Sequence, residues 1–207
     1  MLYLARHGET DFNEEGRYQG QRESNLTARG CLQAERLATA MQGLGVQRII
    51  SSPLTRCIQS AKPLATRLKL PIEISTDLIE IAHGTWEGRL RSEIEEHDPE
   101  TMRAWRSQPD SVQFDGGETL AMVNARWNHF LGSLRDELTT VVMTHDVLVR
   151  LALLAANNRP LARFWEPVVK NGAYAWTVKD GGNVRVLNEC VDAHLGDAVA
   201  DTASQAL

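Results

Sequence analysis

Short apolar runs alternate along this chain with longer segments in which apolar residues recur at helical spacing. This alternation constrains the fold most, because parallel strands need long crossover connections, which are usually helical. The runs typical of strands are Leu2 to Ala5, Arg48 to Ser51, Ile72 to Ile74, Val141 to Thr144 and Ala173 to Val178. We therefore predict an α/β fold of three layers, α/β/α, with a mostly parallel central sheet.

Apolar stripes and capping residues predict the helices between these strands. Thr27 is a typical N-cap for the first helix. Ser52-Pro53 is typical of the start of the second helix, in which Pro63 predicts a bend. Leu120 begins a third stripe, and a fourth follows Asp146.

Residues 89–117 differ from the rest of the chain, because they are polar and contain Pro99, Pro109 and the turn sequence Asp115-Gly116-Gly117. We predict a helical excursion from the sheet here, a lid over a site. Neither an internal repeat nor a low-complexity linker is evident, so we predict one domain over residues 1–190. Small and polar residues near the end predict a flexible tail over residues 191–207.

Composition excludes several classes of protein. The chain has 207 residues, 43% of them hydrophobic, and its 22 basic and 27 acidic residues give a net charge of −5. Disordered chains have fewer apolar residues, and proteins that coat nucleic acid carry a net basic surface. We therefore expect a folded domain without a nucleic-acid partner.

The cysteines and the apolar segments bear on the compartment. Cys31, Cys57 and Cys190 are odd in number and widely spaced, which indicates neither a disulfide framework nor a zinc ribbon. The longest apolar stretch, Val147 to Ala156, is interrupted by Arg150 and is too short to span a bilayer. Because the N-terminus also lacks a leader pattern, we expect a cytoplasmic protein with no membrane partner.

The first strand runs directly into Arg6-His7-Gly8. Ligands of α/β sheets collect at the carboxyl ends of strands. An arginine offers paired donors to a phosphate, a histidine can attack it, and Gly8 permits close backbone approach. The simpler interpretation of an isolated Arg-His pair is a strand-end histidine bonded to a carbonyl, so the phosphate hypothesis depends on the remaining motifs.

Several further motifs follow in order. They are Arg6-His7-Gly8-Glu9-Thr10 with Asn13, Tyr18-Gln19-Gly20, Leu26 to Gly30, Ser51 to Arg56, Leu78-Ile79-Glu80 with Gly84 to Gly88, Gly116 to Thr119, and Thr144-His145. In this order they resemble the histidine phosphatase superfamily, also called the phosphoglycerate mutase-like family. The stretch after Glu80 resembles its phosphatase branch. The resemblance covers most of the chain from Leu2 to about Val178.

The resemblance implies a phosphoglycerate mutase-like fold and assigns a role to each catalytic candidate. His7 would be the nucleophile that forms a transient phosphohistidine. Arg6, Arg56 and His145 would surround the phosphoryl oxygens, where transition-state charge develops. Glu80 would protonate the leaving alkoxide and then accept a proton from water, a dual role that requires a raised pKa.

One position departs from the family pattern, because Asp146 follows His145 where a glycine is usual. A carboxylate here could repel phosphate, but we interpret Asp146 as a cap of the next helix that points away and leaves its N–H available. Together with Asn13, Gln19 and Gly20 it completes the candidate substrate-binding residues.

Weaker candidates have simpler interpretations. His83 lies near Glu80 but is typical of an exposed turn, and Asn171-Gly172 is typical of a turn before a strand, with a smaller chance that Asn171 lines the pocket. Trp86 and Trp105 are more typical of core or lid packing than of a substrate platform.

The resemblance implies a metal-independent phosphatase that hydrolyses a small-metabolite phosphomonoester. The substrate would be a sugar phosphate, a phosphoglycerate derivative or a similar metabolite, with no metal and no cofactor; a monomer and a homodimer both stay open. One alternative is a cofactor-dependent phosphoglycerate mutase-type isomerase, which phosphate release without added bisphosphate would separate. Another is a catalytically silent phosphate-binding module.

Overall fold

A six-stranded sheet forms the centre of the computed structural model, which describes residues 1–135 and 137–199. Its strands are β1 Leu2–Arg6, β2 Arg48–Ser51, β3 Ile72–Ile74, β4 Thr140–Thr144, β5 Tyr174–Asp180 and β6 Asn183–Val191, in the order β3-β2-β4-β1-β5-β6. The pairings among β3, β2, β4 and β1 are parallel, and those of β5 with β1 and β6 are antiparallel. This sheet confirms the predicted α/β architecture.

Helices cover both faces of the sheet. They are α1 Asp11–Glu15, α2 Ala28–Met41, α3 Thr55–Leu68, α4 Arg91–His97, α5 Pro99–Ser107, α6 Leu120–Ser133 and α7 Asp146–Ala156. Because side chains alternate along a strand, Tyr3 and Ala5 pack with α2 and α3, whereas Leu2 and Leu4 pack with α6 and α7 on the other face. The two cores give the three predicted layers. Among the described residues, none of the helices is long and apolar enough to cross a membrane.

The helix starts only partly follow the sequence predictions. Thr27 caps α2 as predicted, because its hydroxyl accepts the N–H of Gly30. The predicted start of α3 at Ser52-Pro53 is wrong, since Leu54 is the N-cap and the helix begins at Thr55. The Ser52 hydroxyl lies 2.7 Å from His145 Nε2, so it bonds across the sheet edge instead of capping α3.

The segment expected to be a lid is helical, as predicted. It contains α4, α5 and a 3₁₀ turn at Pro109–Ser111. Asp98 caps α5 through the N–H of Thr101 and also accepts the Trp86 indole N–H. Met102 and Trp105 are almost fully buried and join the core of α6 and α7. The excursion is therefore packed against the body of the protein.

The end of the chain differs from its predicted form. Strand β6 was not predicted; it lies at the edge of the sheet, and most of its side chains are partly or fully exposed. The expectation of a flexible tail from residue 191 is corrected for residues 191–199. A 3₁₀ segment at Ala193–Ala198 buries Leu195, and Gln33 donates to the Ala198 carbonyl over 2.8 Å. Residues 200–207 lie outside the described part of the chain.

Candidate active site

The carboxyl ends of the neighbouring strands β1 and β4 bring the two motif histidines together. Arg6 pairs with Thr144 in the parallel register, and the His7 N–H donates to the Thr144 carbonyl over 3.0 Å. The rings of His7 and His145, one residue beyond each strand, therefore lie with their centroids 5.3 Å apart. The adjacent parallel strand β2 ends at Ser51 and leads to Arg56 in the first turn of α3.

His7 is held in one tautomer. Its Nδ1 lies 2.7 Å from the carbonyl oxygen of Gly8, an acceptor, so Nδ1 carries the proton and Nε2 keeps its lone pair. The ring is 2% exposed. Burial, and then the nearby Arg56 and Arg6, hold the pKa of His7 well below its usual value of 6.5. A neutral imidazole with a free lone pair is the form required of a nucleophile.

Gly8 packs closely against the backbone of α2. A Cβ at this position would lie 2.5 Å from the carbonyl oxygen of Gly30 in the first turn of α2. The Gly8 N–H donates to Ser60 Oγ, and this hydroxyl donates in turn to the Arg56 carbonyl. The contact with Gly30 therefore requires glycine here, whether or not a ligand also approaches the Gly8 backbone.

Arg6 is buried, and one nitrogen of its guanidinium group donates to two acceptors of the protein. Its Nη1 donates to Asp146 Oδ1 and to the Val169 carbonyl, each over 3.1 Å. Its Nε is buried without a hydrogen-bond partner among the described residues. An orphaned cationic donor in a buried site is costly unless a ligand satisfies it.

Asp146 is not the helix cap that the sequence indicates. His145 is the N-cap of α7, and the Asp146 carboxylate lies between Arg6 and Arg150, with Arg150 Nε 2.5 Å from its Oδ2. A buried carboxylate is stabilised more by two guanidinium groups than by a single N–H. The prediction that the Asp146 side chain caps α7 is therefore wrong, and the carboxylate contacts Arg6 instead.

Arg56 is fully buried, and its donors are all oriented by the protein. Nη1 donates to the Arg22 carbonyl over 2.8 Å, Nη2 to the Gly20 carbonyl over 2.7 Å, and Nε to His145 Nδ1 over 3.3 Å. Gly20 was predicted to contact substrate, and in the structure its carbonyl fixes Arg56. Its φ of +52° and the approach of Glu87 both favour glycine there.

His145 is buried and has both ring nitrogens bonded. Since Arg56 Nε donates to Nδ1, the proton resides on Nε2, which lies 2.7 Å from Ser52 Oγ. Burial, followed by Arg56 and His7, holds the pKa of His145 well below its usual value. The histidine is thus neutral beside His7, with Ser52 as a partner that sequence reasoning missed.

Glu80 supplies the titratable carboxyl of the site. It is 3% exposed, and its Oε1 accepts the N–H of Ile81 over 2.9 Å. Burial, and secondarily the charge of Asp146, raise the pKa of Glu80 to about 7, against the opposing effects of the Ile81 N–H, Arg56 and Arg6. A carboxyl with this pKa can both donate and accept a proton near neutrality.

Asn13 and Gln19 are buried polar residues of the loop that follows β1. Asn13 Oδ1 accepts the Thr10 N–H and an amide proton of Asn171, and its Nδ2 is buried without a partner among the described residues. Gln19 Oε1 lies 3.0 Å from the Thr10 hydroxyl and 2.8 Å from that of Ser24. Asn13 Nδ2 and Arg6 Nε are thus both buried donors for which the described part of the chain offers no acceptor.

Asn171 and His83, two of the weaker candidates from the sequence, are both buried. Asn171 Nδ2 donates to the His7 carbonyl, which links the turn before β5 to His7. His83 is fully buried, so its interpretation as an exposed turn histidine is wrong. Its ring packs edge-to-face on Tyr18 and Phe114, and burial lowers its pKa to about 3. Trp86 and Trp105 are buried in the same aromatic cluster, as predicted.

Comparison with known proteins agrees with these motifs. The family model described as histidine phosphatase superfamily (branch 1) matches residues 2–190. The chain is 35% identical over 199 residues to phosphoserine phosphatase 1 of Hydrogenobacter thermophilus, covering 95% of this chain and 94% of that protein. It is 29% identical over 194 residues to the adenosylcobalamin/alpha-ribazole phosphatase of Escherichia coli, with 90% and 95% covered. The structure of Bacillus stearothermophilus YhfR superposes with a TM-score of 0.89 at 30% identity, covering 94% of this chain and 98% of that one.

Proposed function

This chain belongs to the histidine phosphatase superfamily, and we propose that it is a metal-independent phosphatase that hydrolyses a small-metabolite phosphomonoester through a phosphohistidine at His7. One observation carries the proposal. A buried, neutral histidine with a free Nε2 lone pair lies with two buried arginines and a carboxyl whose pKa is about 7. These groups supply a nucleophile, charge stabilisation and a proton donor.

The reaction divides into two displacements at phosphorus. In the first, His7 Nε2 attacks, the bond from phosphorus to the ester oxygen breaks, and the Glu80 carboxyl protonates the leaving alkoxide. In the second, the Glu80 carboxylate removes a proton from water, the water oxygen attacks phosphorus, and the bond to Nε2 breaks. Inorganic phosphate leaves, and His7 and Glu80 return to their starting forms.

The arginines stabilise the charge of the transferring group. Phosphoryl transfer depends on positioning and electrostatic stabilisation. Arg6 Nε and Asn13 Nδ2 are buried donors without an acceptor among the described residues, so a phosphoryl oxygen would satisfy them. Arg56 contributes positive charge from a position fixed by two carbonyl groups.

The proposed substrate class follows from the named relatives. The named relatives are phosphatases of phosphoserine and of alpha-ribazole phosphate. We extend this to the present chain as a small phosphorylated metabolite, whether an amino-acid phosphate, a sugar phosphate, a phosphoglycerate derivative or a nucleoside-like phosphate. The lid formed by α4 and α5 is the element most able to discriminate among them.

A phosphate-release assay tests the proposed reaction. A panel of phosphoserine, 3-phosphoglycerate, sugar phosphates and ribazole phosphate is incubated with the protein, with no bisphosphate added and with EDTA in a parallel series. We expect release of phosphate from at least one member, unchanged by EDTA. In a further series with bisphosphate added, isomerisation of phosphoglycerate without phosphate release would indicate the mutase alternative, and binding without turnover in every series would indicate a silent module.

Trapping of the intermediate tests the role of His7. Rapid acid-free quenching during turnover should give one phosphoryl label for each active site, stable in base and labile in acid, as expected of a phosphohistidine. The label should be absent from His7→Ala, which removes the nucleophile. A label that persists undiminished in His7→Ala would contradict the assignment.

A further inference from the structure

A buried carboxylate lies between two arginines at the rim of the phosphoryl site. Asp146 is 1% exposed, with Oδ1 3.1 Å from Arg6 Nη1 and Oδ2 2.5 Å from Arg150 Nε. A buried charge is tolerated only when it is paired and hydrogen-bonded. The carboxylate is paired with two guanidinium groups, so the three side chains together carry one net positive charge.

The contacts of Arg6 fix the rotation of its guanidinium. Nη1 is held between the Asp146 carboxylate and the Val169 carbonyl, and Nε is the buried donor that no described residue satisfies. A guanidinium donates from a rigid plane. Fixing Nη1 therefore also fixes the direction in which Nε points.

Arg150 is itself anchored outside the site. Its Nη1 donates to the Pro167 carbonyl over 2.5 Å, and its guanidinium carbon lies 5.6 Å and 5.2 Å from the ring centroids of Phe164 and Trp165. Trp165 in turn donates from its indole nitrogen to the Trp105 carbonyl of the lid helix α5. Asp146 is thus held by an arginine whose own position does not depend on a bound substrate.

We infer that Asp146 is a positioning residue, which holds Arg6 with its Nε edge towards the transferring phosphoryl group, while Arg150 neutralises the carboxylate so that an anion can enter. This inference rests on the proposed function. Without Arg150, the carboxylate would offset the charge of Arg6 and weaken phosphate binding. The pair therefore explains how an aspartate can occupy a position where the family usually has glycine.

The same carboxylate affects the proton donor. Glu80 is faced by Asp146, Arg6 and Arg56 and by the N–H of Ile81, and of these only Asp146 is negative. Removing its charge leaves two positive neighbours, which lowers the pKa of Glu80. The limb of the pH profile on which Glu80 loses its proton should then move to lower pH.

The test compares Asp146→Asn, Arg150→Gln, Arg150→Lys and the Asp146→Asn/Arg150→Gln double variant. For a substrate that the wild-type protein hydrolyses, D146N should lower kcat by about tenfold without raising KM, because orientation is lost while positive charge is gained. In the pH profile of D146N, the limb on which Glu80 loses its proton should move to lower pH by about half a unit. Glu73→Gln removes a carboxylate from an exposed pair with Arg48 and serves as the matched control with wild-type kinetics.

Calorimetry then measures how tightly each single variant and the double variant bind inorganic phosphate, which gives a double-mutant cycle. R150Q should weaken phosphate binding by about tenfold, R150K by no more than about twofold, and the double variant should recover most of the loss because the uncompensated carboxylate is gone.

Wild-type kcat and pH profile in a folded D146N, or unchanged phosphate affinity in R150Q, would overturn the inference. If D146N does not fold, the comparison of R150Q with R150K decides. Failure of the wild-type protein to hydrolyse any substrate would instead refute the proposed function.

Discussion

At the scale of single residues, burial shifts the pKa values of His7 and Glu80 in the directions that their proposed roles as nucleophile and acid require. Removal from water disfavours charge, so it lowers the pKa of His7 and raises that of Glu80. Both side chains are therefore neutral over the same range, from well below pH 6.5 up to about pH 7. A neutral imidazole can attack and a neutral carboxyl can donate, so burial suits both proposed roles.

Replacement of Glu80 by glutamine should separate substrates by their leaving groups. The amide cannot donate a proton to an alkoxide, so hydrolysis of alkyl phosphates should slow by about 10²- to 10⁴-fold. Aryl phosphates with acidic phenols should be much less affected because their leaving groups need little protonation. Steady-state kinetics on an alkyl and a nitrophenyl substrate measure the difference.

The pH profile provides the control for Glu80→Gln. In the wild-type protein kcat for alkyl phosphates should fall as pH rises above about 7, because the carboxyl then loses its proton. This limb should be absent in the variant. Equal losses on both substrates, with the limb retained, would contradict the role of Glu80.

At the scale of elements, the loop that follows α1 determines where Arg56 points. A Cβ on Gly20 would lie 2.1 Å from Glu87 Oε1, and that oxygen already accepts the N–H groups of Gln21 and His83. Glu87 therefore cannot move aside without losing two hydrogen bonds. Since the Gly20 carbonyl accepts from Arg56 Nη2, any shift of this loop changes the phosphoryl site.

Gly20→Ala should therefore reduce kcat/KM by about ten- to a hundredfold, through the contact with Glu87 and the positive φ that alanine disfavours. Steady-state kinetics and circular dichroism measure activity and folding separately. Gly43→Ala is the matched control, because a Cβ there meets nothing within 4 Å, and it should retain wild-type kinetics. Equal activity of the two variants would contradict this role of the loop.

At the scale of the whole molecule, the net charge of −5 is compatible with an anionic ligand because the site has its own local field. Arg6 and Arg56 are almost fully buried, whereas several carboxylates are paired at the surface, among them Glu73 and Glu95. In a low-dielectric pocket two buried cations act more strongly than many screened surface charges.

Burial of His83 should make the folded state sensitive to acid. Its pKa is about 3 in the folded protein and 6.5 ordinarily, so between these values the unfolded chain binds one more proton. The free energy of unfolding should then decrease as pH falls below 6.5, by up to about 1.4 kcal/mol per pH unit from this residue. His7 and His145 act in the same direction, and Glu80 acts oppositely between pH 4.5 and about 7.

His83→Phe isolates this contribution, because phenylalanine suits the aromatic cluster and does not titrate. Urea unfolding at pH 8 and at pH 5 should show a smaller loss of stability in the variant than in the wild-type protein. The pH 8 measurement is the internal control, since His83 is neutral there in both states. An unchanged difference between the two pH values would contradict the assignment.

Local sequence patterns were sufficient to predict the alternation of strands and helices from β1 to β5, and motifs indicated the candidate site residues. The spacing and type of apolar residues are local properties of the chain, so β2 and β3 were predicted at their observed bounds. The roles of His7, Glu80 and Arg56, which motifs indicated, stay predictions. Strand β6 was not predicted because an exposed edge strand lacks a continuous apolar pattern.

Which polar groups meet across the sheet depends on the three-dimensional fold and could not be predicted from local patterns. The partners of Asp146 are Arg6, which is 140 positions away, and Arg150 on the same helix, and no local pattern distinguishes this arrangement from a helix cap. Ser52 bonds to His145 instead of capping α3, and the His83 ring packs on Trp105 and Phe114, which come later in the chain. Hydrogen bonds and burial depend on residues brought together by the fold, whereas propensity depends on neighbours along the chain.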